Sequence, residues 1–326
     1  MIIKDLLYGN FDVKEEVLLE LIDSYPVQRL KNASQHGFPK NETALTFETY
    51  SRYEHSIGVM LLLRRLNASL EEQVAGLLHD VSHTAFSHII DWVMGDPTKG
   101  DYQDSALSGY IKNSEIASIL SKHGYNIDRI SNLEDNGCFR LLERKMPDLC
   151  ADRIDYALRD SRYFLGVDTR ECVEDLIVDD GEIVFGSRKT AEGFARYYAR
   201  CQKDYWSGDE AMLRYYFISK ALKEALEKKI ITMPDLYKDE TYLIGKFRKS
   251  GENGVVYNIN KGLGKLNFTE SEDGEIRLVR KLRCVDPKFL DDGKVRRLSE
   301  VEPGYKLLME EEKKRSAKVV RVTMLD

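Results

Sequence analysis

Four of the chain's six histidines, His55, His79, His83 and His88, fall within residues 55–88, in sequence that is otherwise apolar and helical in pattern. That crowding constrains the fold more than any other feature. HSIGVMLLLRRL (55–66) and LEEQVAGLLHD (70–80) read as two apolar helices, and FSHIIDWVM (86–94) as a third that Gly95 and Pro97 stop. Burying imidazoles at the ends of such helices is costly unless they are coordinated or hydrogen-bonded.

Helical spacing extends along the chain. VKEEVLLELIDSY (13–25) places Val17, Leu18, Leu21 and Ile22 on one face, and residues 103–121, 148–164, 189–206 and 209–230 also read as helices. Strand signals are fewer. LIVDDGEIVFG (176–186) reads as a hairpin with Asp180-Gly181 at its turn. After about residue 250 the pattern changes: VVYNI (255–259), EIRLVRKLRCV (275–285) and KVVRVTML (318–325) alternate or are β-branched. The expected fold is mainly α, with a helical domain over 1–235 and a smaller C-terminal α+β module over 236–326. Five scattered cysteines without a CxxC suit a reduced intracellular protein. No apolar run approaches the ~20 residues of a membrane span, and the first residues lack a basic start and apolar core, so the expected location is cytoplasmic. A net charge of −6 argues against a dedicated nucleic-acid binder.

His55 opens one helix, His79 and Asp80 close another, and Asp152 lies inside a third, PDLCADRIDYALRD (147–160). Two imidazoles and two carboxylates from three helices converge readily in a bundle interior, a usual place for a metal. Mixed N/O ligands suit Mn, Fe, Co, Ni or Zn better than Ca or Mg. Taken singly, His55 or Asp152 fits an ordinary hydrogen-bonded core residue better than a ligand. The adjacent pair His79-Asp80, followed by His83 and His88, tips the balance toward a site. Asp152, Tyr156 and Asp160 are spaced i, i+4, i+8, so one helix face presents all three.

Three ordered blocks, RYEHSIGV (52–59), GLLHDVSHTAFSH (76–88) and ADRIDYALRD (151–160), resemble the H…HD…D signature of the HD-domain metal-dependent phosphohydrolases. Within them they resemble the branch of SAM-and-HD-domain dNTP triphosphohydrolases and bacterial dGTP triphosphohydrolases. VQRLKNASQHG (27–37), CVDPKFL (284–290) and LLMEEEKKRS (307–316) extend the likeness toward both ends. The resemblance implies an HD-domain helical bundle. It makes His55, His79, Asp80 and Asp152 ligands of a divalent transition metal, with Mg on the nucleotide as a further expectation. Arg52 and Arg153 then face phosphates, Gln35 touches the sugar, Tyr156 stacks beneath the deoxyribose, and Asp160 accepts from the 3′-hydroxyl. His83 and His88 sit near the phosphate chain, as proton donors or as support for the ligands. A homo-oligomer and a nucleotide effector are implied by resemblance alone.

Two positions depart from that branch. Where it has a histidine followed by an acid, acting on the leaving oxygen, this chain has Gln103 and Asp104, and glutamine delivers no proton at neutral pH. Asp104, His83 or a water is left for that role. The residue after Gln35 is His36 rather than an apolar one, which bears on base or sugar selection. Arg277, Arg280, Lys281 and Arg283 form a basic run that reads as a solvated edge strand, with an effector or nucleic-acid contact as the alternative. Tyr205 and Trp206 fall where the branch stacks a base, or are helix-packing aromatics. The expected activity is dNTP hydrolysis to deoxynucleoside and triphosphate. The alternatives are another phosphoester, such as a phosphomonoester or a cyclic or modified nucleotide, or a nucleotide-binding regulator without turnover.

Overall fold

Ser51 starts the central helix, Arg52–Arg65, with a capping box: its hydroxyl accepts from the Glu54 amide, and the Glu54 carboxylate accepts from the Ser51 amide. Residues 57–63 of that helix are buried all round, as expected for an apolar helix at the centre of a bundle. Leu70–Leu78, capped by Ser69, and Ala151–Leu165 pack against it. The computed structural model of the chain describes residues 1–39, 42–44, 49–133 and 138–325.

The N-terminal helix Glu16–Asp23 buries Val17, Leu18, Leu21 and Ile22, the face its spacing predicts. The segment 103–121 divides into Tyr102–Lys112 and Glu115–Lys122, and 189–206 into Arg188–Cys201 and a π-helical turn, Gln202–Trp206. A second apolar core joins Asp209–Glu227, Glu240–Ser250 and Asn253–Leu263 to Phe86, Ile89 and Ile90. No helix among the described residues is long and apolar enough to cross a membrane.

Small sheets edge the bundle. Ile2–Asp5 and Gly9–Asp12 form an N-terminal hairpin. The expected hairpin is present as Leu176–Asp179 and Glu182–Phe185, with Asp180 and Gly181 both at positive φ. It extends into four strands, because Lys288–Asp291 pairs parallel to Glu182–Phe185 and Lys294–Arg297 closes the far edge. A three-stranded antiparallel sheet has Val320–Met324 between Phe268–Glu270 and Ile276–Leu278.

Two segments differ from their sequence pattern. VVYNI lies inside the helix Asn253–Leu263, where Val255, Ile259 and Leu263 are buried at helical spacing. Gly262 lets that helix close on Asp209–Glu227, since a Cβ there would stand 2.5 Å from the Ile218 side chain. Packing overrides β-propensity in such a contact. Of EIRLVRKLRCV only Ile276–Leu278 is a strand, and residues 279–287 run on without strand pairing.

Candidate metal centre

Each metal-site residue is presented by a helix end or first turn. His55 lies one turn into Arg52–Arg65, His79 caps the C-terminus of Leu70–Leu78, Asp80 follows it, and Asp152 is in the first turn of Ala151–Leu165. His55 Nε2 is 3.2 Å from His79 Nε2, and Asp152 Oδ1 is 2.9 and 3.4 Å from those two nitrogens. Asp80 stands slightly farther out, 3.8 Å from His55 Nε2 and 3.6 Å from His79 Nε2.

A metal bonded at about 2.1 Å holds its ligand atoms about 3.0 Å apart along an octahedral edge and about 3.4 Å along a tetrahedral one. The three atoms of His55, His79 and Asp152 match those edges. Their orientation also fits. The His55 Nδ1–H donates to Asp155 Oδ2 at 2.7 Å, and the His79 Nδ1–H donates to the Gly76 carbonyl at 2.7 Å. Each bond selects the tautomer whose Nε2 lone pair faces the cluster. Burial alone disfavours an imidazolium at His55, but the Asp152 and Asp155 carboxylates prevail and push it up to about 10. His79 is raised in the same way, its burial outweighed by Asp80 and Asp152. Burial raises Asp152, yet bonds from His55 and His79 take it below the usual carboxylate range. Protons therefore compete with a metal for this donor set.

Behind His55 runs a buried chain absent from the sequence reading. Asp155 Oδ2 also accepts from Arg159 Nε at 2.8 Å, and Arg159 Nη2 donates to Asp5 Oδ2 at 2.6 Å. Asp5 belongs to the N-terminal hairpin and is fixed in turn by the amides of Leu7 and Tyr8. The spacing 152, 155, 159 along one helix was the available signal.

All the residues singled out from the sequence as ligands, catalysts or substrate contacts line one cavity of about 1360 Å³. Several already have partners. Arg52, 1% exposed, bonds Asp80, the Gln35 carbonyl at 3.0 Å and Ser87 Oγ at 2.9 Å, so it braces a ligand as well as facing the cavity. Arg153 donates to the carbonyls of Asp148 and Arg144. Gln35 Oε1 is buried with no hydrogen-bond partner among the described residues. Tyr156 OH bonds Tyr198 OH at 2.8 Å, and the Tyr156 ring packs edge-on against Trp206. Asp160 has both oxygens occupied, by His36 Nε2 at 2.9 Å and Trp206 Nε1 at 2.6 Å.

The loop carrying the remaining histidines is strained. Phe86 and Ser87 both have positive φ, 63° and 50°. The Ser87 hydroxyl donates to the Ser34 carbonyl, and the Phe86 amide donates to buried Glu240. This turn sets His88 against His83, with ring centroids 4.9 Å apart. His83 Nε2 lies 3.3 Å from Asp80 Oδ1. Burial, reinforced by the Arg52 charge, pushes His83 down to about 3; burial takes His88 to about 4 although Asp91 opposes it. Gln103 Oε1 accepts from Ser82 Oγ at 2.6 Å, and its amide donates to Asp104, which is exposed.

Comparison with known proteins agrees with this geometry. The HD domain model matches residues 52–157. The chain is 38% identical over 299 residues to the uncharacterized protein YdhJ of Bacillus subtilis, covering 90% of each. It is 35% identical over 243 residues to the metal-dependent phosphohydrolase cns2 of Cordyceps militaris, covering 70% of this chain and 67% of that one. A deoxynucleoside triphosphate triphosphohydrolase SAMHD1 homolog of Dictyostelium discoideum is 28% identical over 237 residues, 61% of this chain and 44% of that protein. A phosphohydrolase of Bacteroides thetaiotaomicron has the same fold over 100% of both chains, with a TM-score of 0.71 at 15% identity. The chain belongs to the HD-domain family of metal-dependent phosphohydrolases. It is thus a phosphohydrolase, and its His/Asp cluster fits the divalent metal such domains bind.

Proposed function

We propose that the chain hydrolyses nucleotides, with dNTP cleavage to deoxynucleoside and triphosphate as its reaction. The observation that carries this reading is the joint lining of one cavity by the His/Asp cluster, the orphaned Gln35 amide oxygen, Tyr156 and a set of arginines and lysines. Gln35 Oε1 accepts a sugar hydroxyl, and the Tyr156 ring, fixed through Tyr198 and Trp206, supplies the flat surface beneath the sugar. His55, His79, Asp80 and Asp152 hold the metal. A divalent ion supplies Lewis acidity to a phosphoryl oxygen and makes a water more acidic. Arg52 keeps Asp80 ionised and oriented, since its charge outweighs the burial that would raise that carboxyl. His83 and His88 enter as neutral imidazoles that orient phosphate oxygens.

Purified protein with Mn²⁺ and each dNTP should release tripolyphosphate, and His79→Ala should abolish that release. Orthophosphate alone, or no product, refutes the dNTP assignment. A second reading, a different phosphoester, is favoured by Asp160, whose oxygens already bind His36 and Trp206, and by Gln103, held between Ser82 and Asp104. Turnover of phosphomonoesters or modified nucleotides beside inert dNTPs selects it.

A further inference from the structure

The two arginines that the family likeness assigns to phosphates are tied down: Arg52 by Asp80, Gln35 and Ser87, and Arg153 by two backbone carbonyls. Among the described residues Lys99, Lys145, Lys265, Lys281 and Arg283 also line the cavity without such ties, and of these only Lys281 and Arg283 are half-buried, the three other lysines being exposed. Lys281 and Arg283 come from the unpaired segment 279–287, more than a hundred residues beyond the motif. Neither the Lys281 ammonium nor the Arg283 guanidinium has a hydrogen bond or ion pair among the described residues.

Their placement is built. Upstream, buried Arg280 pairs with Asp209, and Gln202 Nε2 donates to the Lys281 carbonyl at 2.9 Å. Downstream, Tyr305 donates to the Val285 carbonyl, the Asp286 amide donates to the Pro147 carbonyl, and the Asp286 carboxylate accepts from Ser299. In extended chain, positions two apart share a side, so Lys281 and Arg283 face the cavity together while Arg280 faces the body. The Lys281 ammonium sits beside Gly100, where a Cβ would be 2.9 Å from it. Arg283 acts electrostatically on His88, which packs on His83, which in turn contacts the ligand Asp80. Asp80, His83 and His88 are thus linked in turn, and His88 shares a small recess of the wall with Lys281 and Arg283.

We propose that Lys281 and Arg283 form an anion site for a phosphate group other than the one at the metal, so that this cavity takes a phosphate chain rather than a lone phosphoryl group. This rests on the phosphohydrolase reading of the cavity and narrows its substrate class to polyphosphate esters. Burial and the adjacent Arg283 charge push the Lys281 ammonium down to about 8, a cost that a bound anion reverses. Arg suits the role because its fork matches phosphate oxygens.

The test is calorimetry on the full chain with Mn²⁺, using inorganic tripolyphosphate and orthophosphate as probes. Tripolyphosphate should bind the unmodified protein at least tenfold tighter than orthophosphate. Lys281→Gln and Arg283→Gln should each weaken tripolyphosphate at least fivefold while orthophosphate, confined to the metal end, changes less than twofold; Arg283→Lys should recover part of the loss. Unchanged tripolyphosphate affinity in both Gln variants overturns the proposal, as does a parallel loss of both anions. A protein that turns over phosphomonoesters yet shows no preference for tripolyphosphate overturns this proposal and leaves the phosphohydrolase reading standing. Absence of both binding and turnover refutes the two together.

Discussion

Asp155 lies two residues past the motif arginine, Arg153, and does not line the cavity, yet it is expected to control metal affinity. Its Oδ2 accepts from His55 Nδ1 at 2.7 Å and from Arg159 Nε at 2.8 Å, while Oδ1 is buried with no hydrogen-bond partner within bonding distance among the described residues. Asp155→Asn therefore isolates the charge. The amide oxygen takes the place of Oδ2 and accepts both bonds, and the NH₂ group takes the place of Oδ1. Bonds to a charged acceptor contribute about 1.5–3 kcal/mol and neutral ones about 0.5–1.5, so two bonds lose roughly 2–3 kcal/mol of stability. Partners behind metal-ligating histidines control affinity by about ten- to a hundredfold. The variant should fold, melt lower, and bind Mn²⁺ ten- to a hundredfold more weakly in a direct titration. Asp5→Asn, at the far end of the same chain, should weaken the metal about threefold or less, because Arg159 keeps Asp155 as a partner. If Asp155→Asn binds metal within twofold of the unmodified protein, the relay does not orient His55 and the reasoning fails.

Gly58 faces the same relay: a Cβ there would lie 2.0 Å from Arg159 Nη2 and 2.2 Å from Asp155 Oδ1. Gly58→Ala should destabilise by about 1–3 kcal/mol through overpacking and weaken the metal in parallel; an unchanged melting temperature contradicts this. Glu240 gives a pH dependence away from the metal. Its burial outweighs the bonds from backbone amides, including those of Ser34 and Phe86, and pushes the carboxyl up to about 7 from an ordinary 4.5. Between those values the folded state holds the extra proton. Its contribution is therefore complete below about pH 4.5, declines as pH rises, and is lost above about 7, a change of about 3 kcal/mol. Subtracting the stability profile of Glu240→Gln from that of the unmodified protein should leave this decline, and a flat difference refutes the assignment.

The helical body and the His/Asp cluster were legible because short-range rules govern them. Val17, Leu18, Leu21 and Ile22 bury the face their spacing defines, and His79-Asp80 sit at a helix end where apolar sequence gives out. Asp155 and Arg159 obey the same helical spacing from Asp152, but only the position of His55 gives that face its meaning. VVYNI misleads because the helix Asp209–Glu227 decides its state, through a contact that no local pattern records.

The basic run 277–283 shows the sharper limit. A two-residue repeat of charge reads as the outer face of an edge strand, and only Arg277 lies on such a strand. Beyond it the chain leaves the sheet, and the same repeat turns inward at the cavity. The difference depends on Arg280, whose ion pair with Asp209 on a distant helix fixes which side of the segment faces the body. A sequence pattern with period two states that alternate residues share a side, and tertiary anchors state which side that is. In this chain the anchors come from Gln202, Asp209 and Tyr305, so the inward turn of Lys281 and Arg283 is not visible in the local sequence.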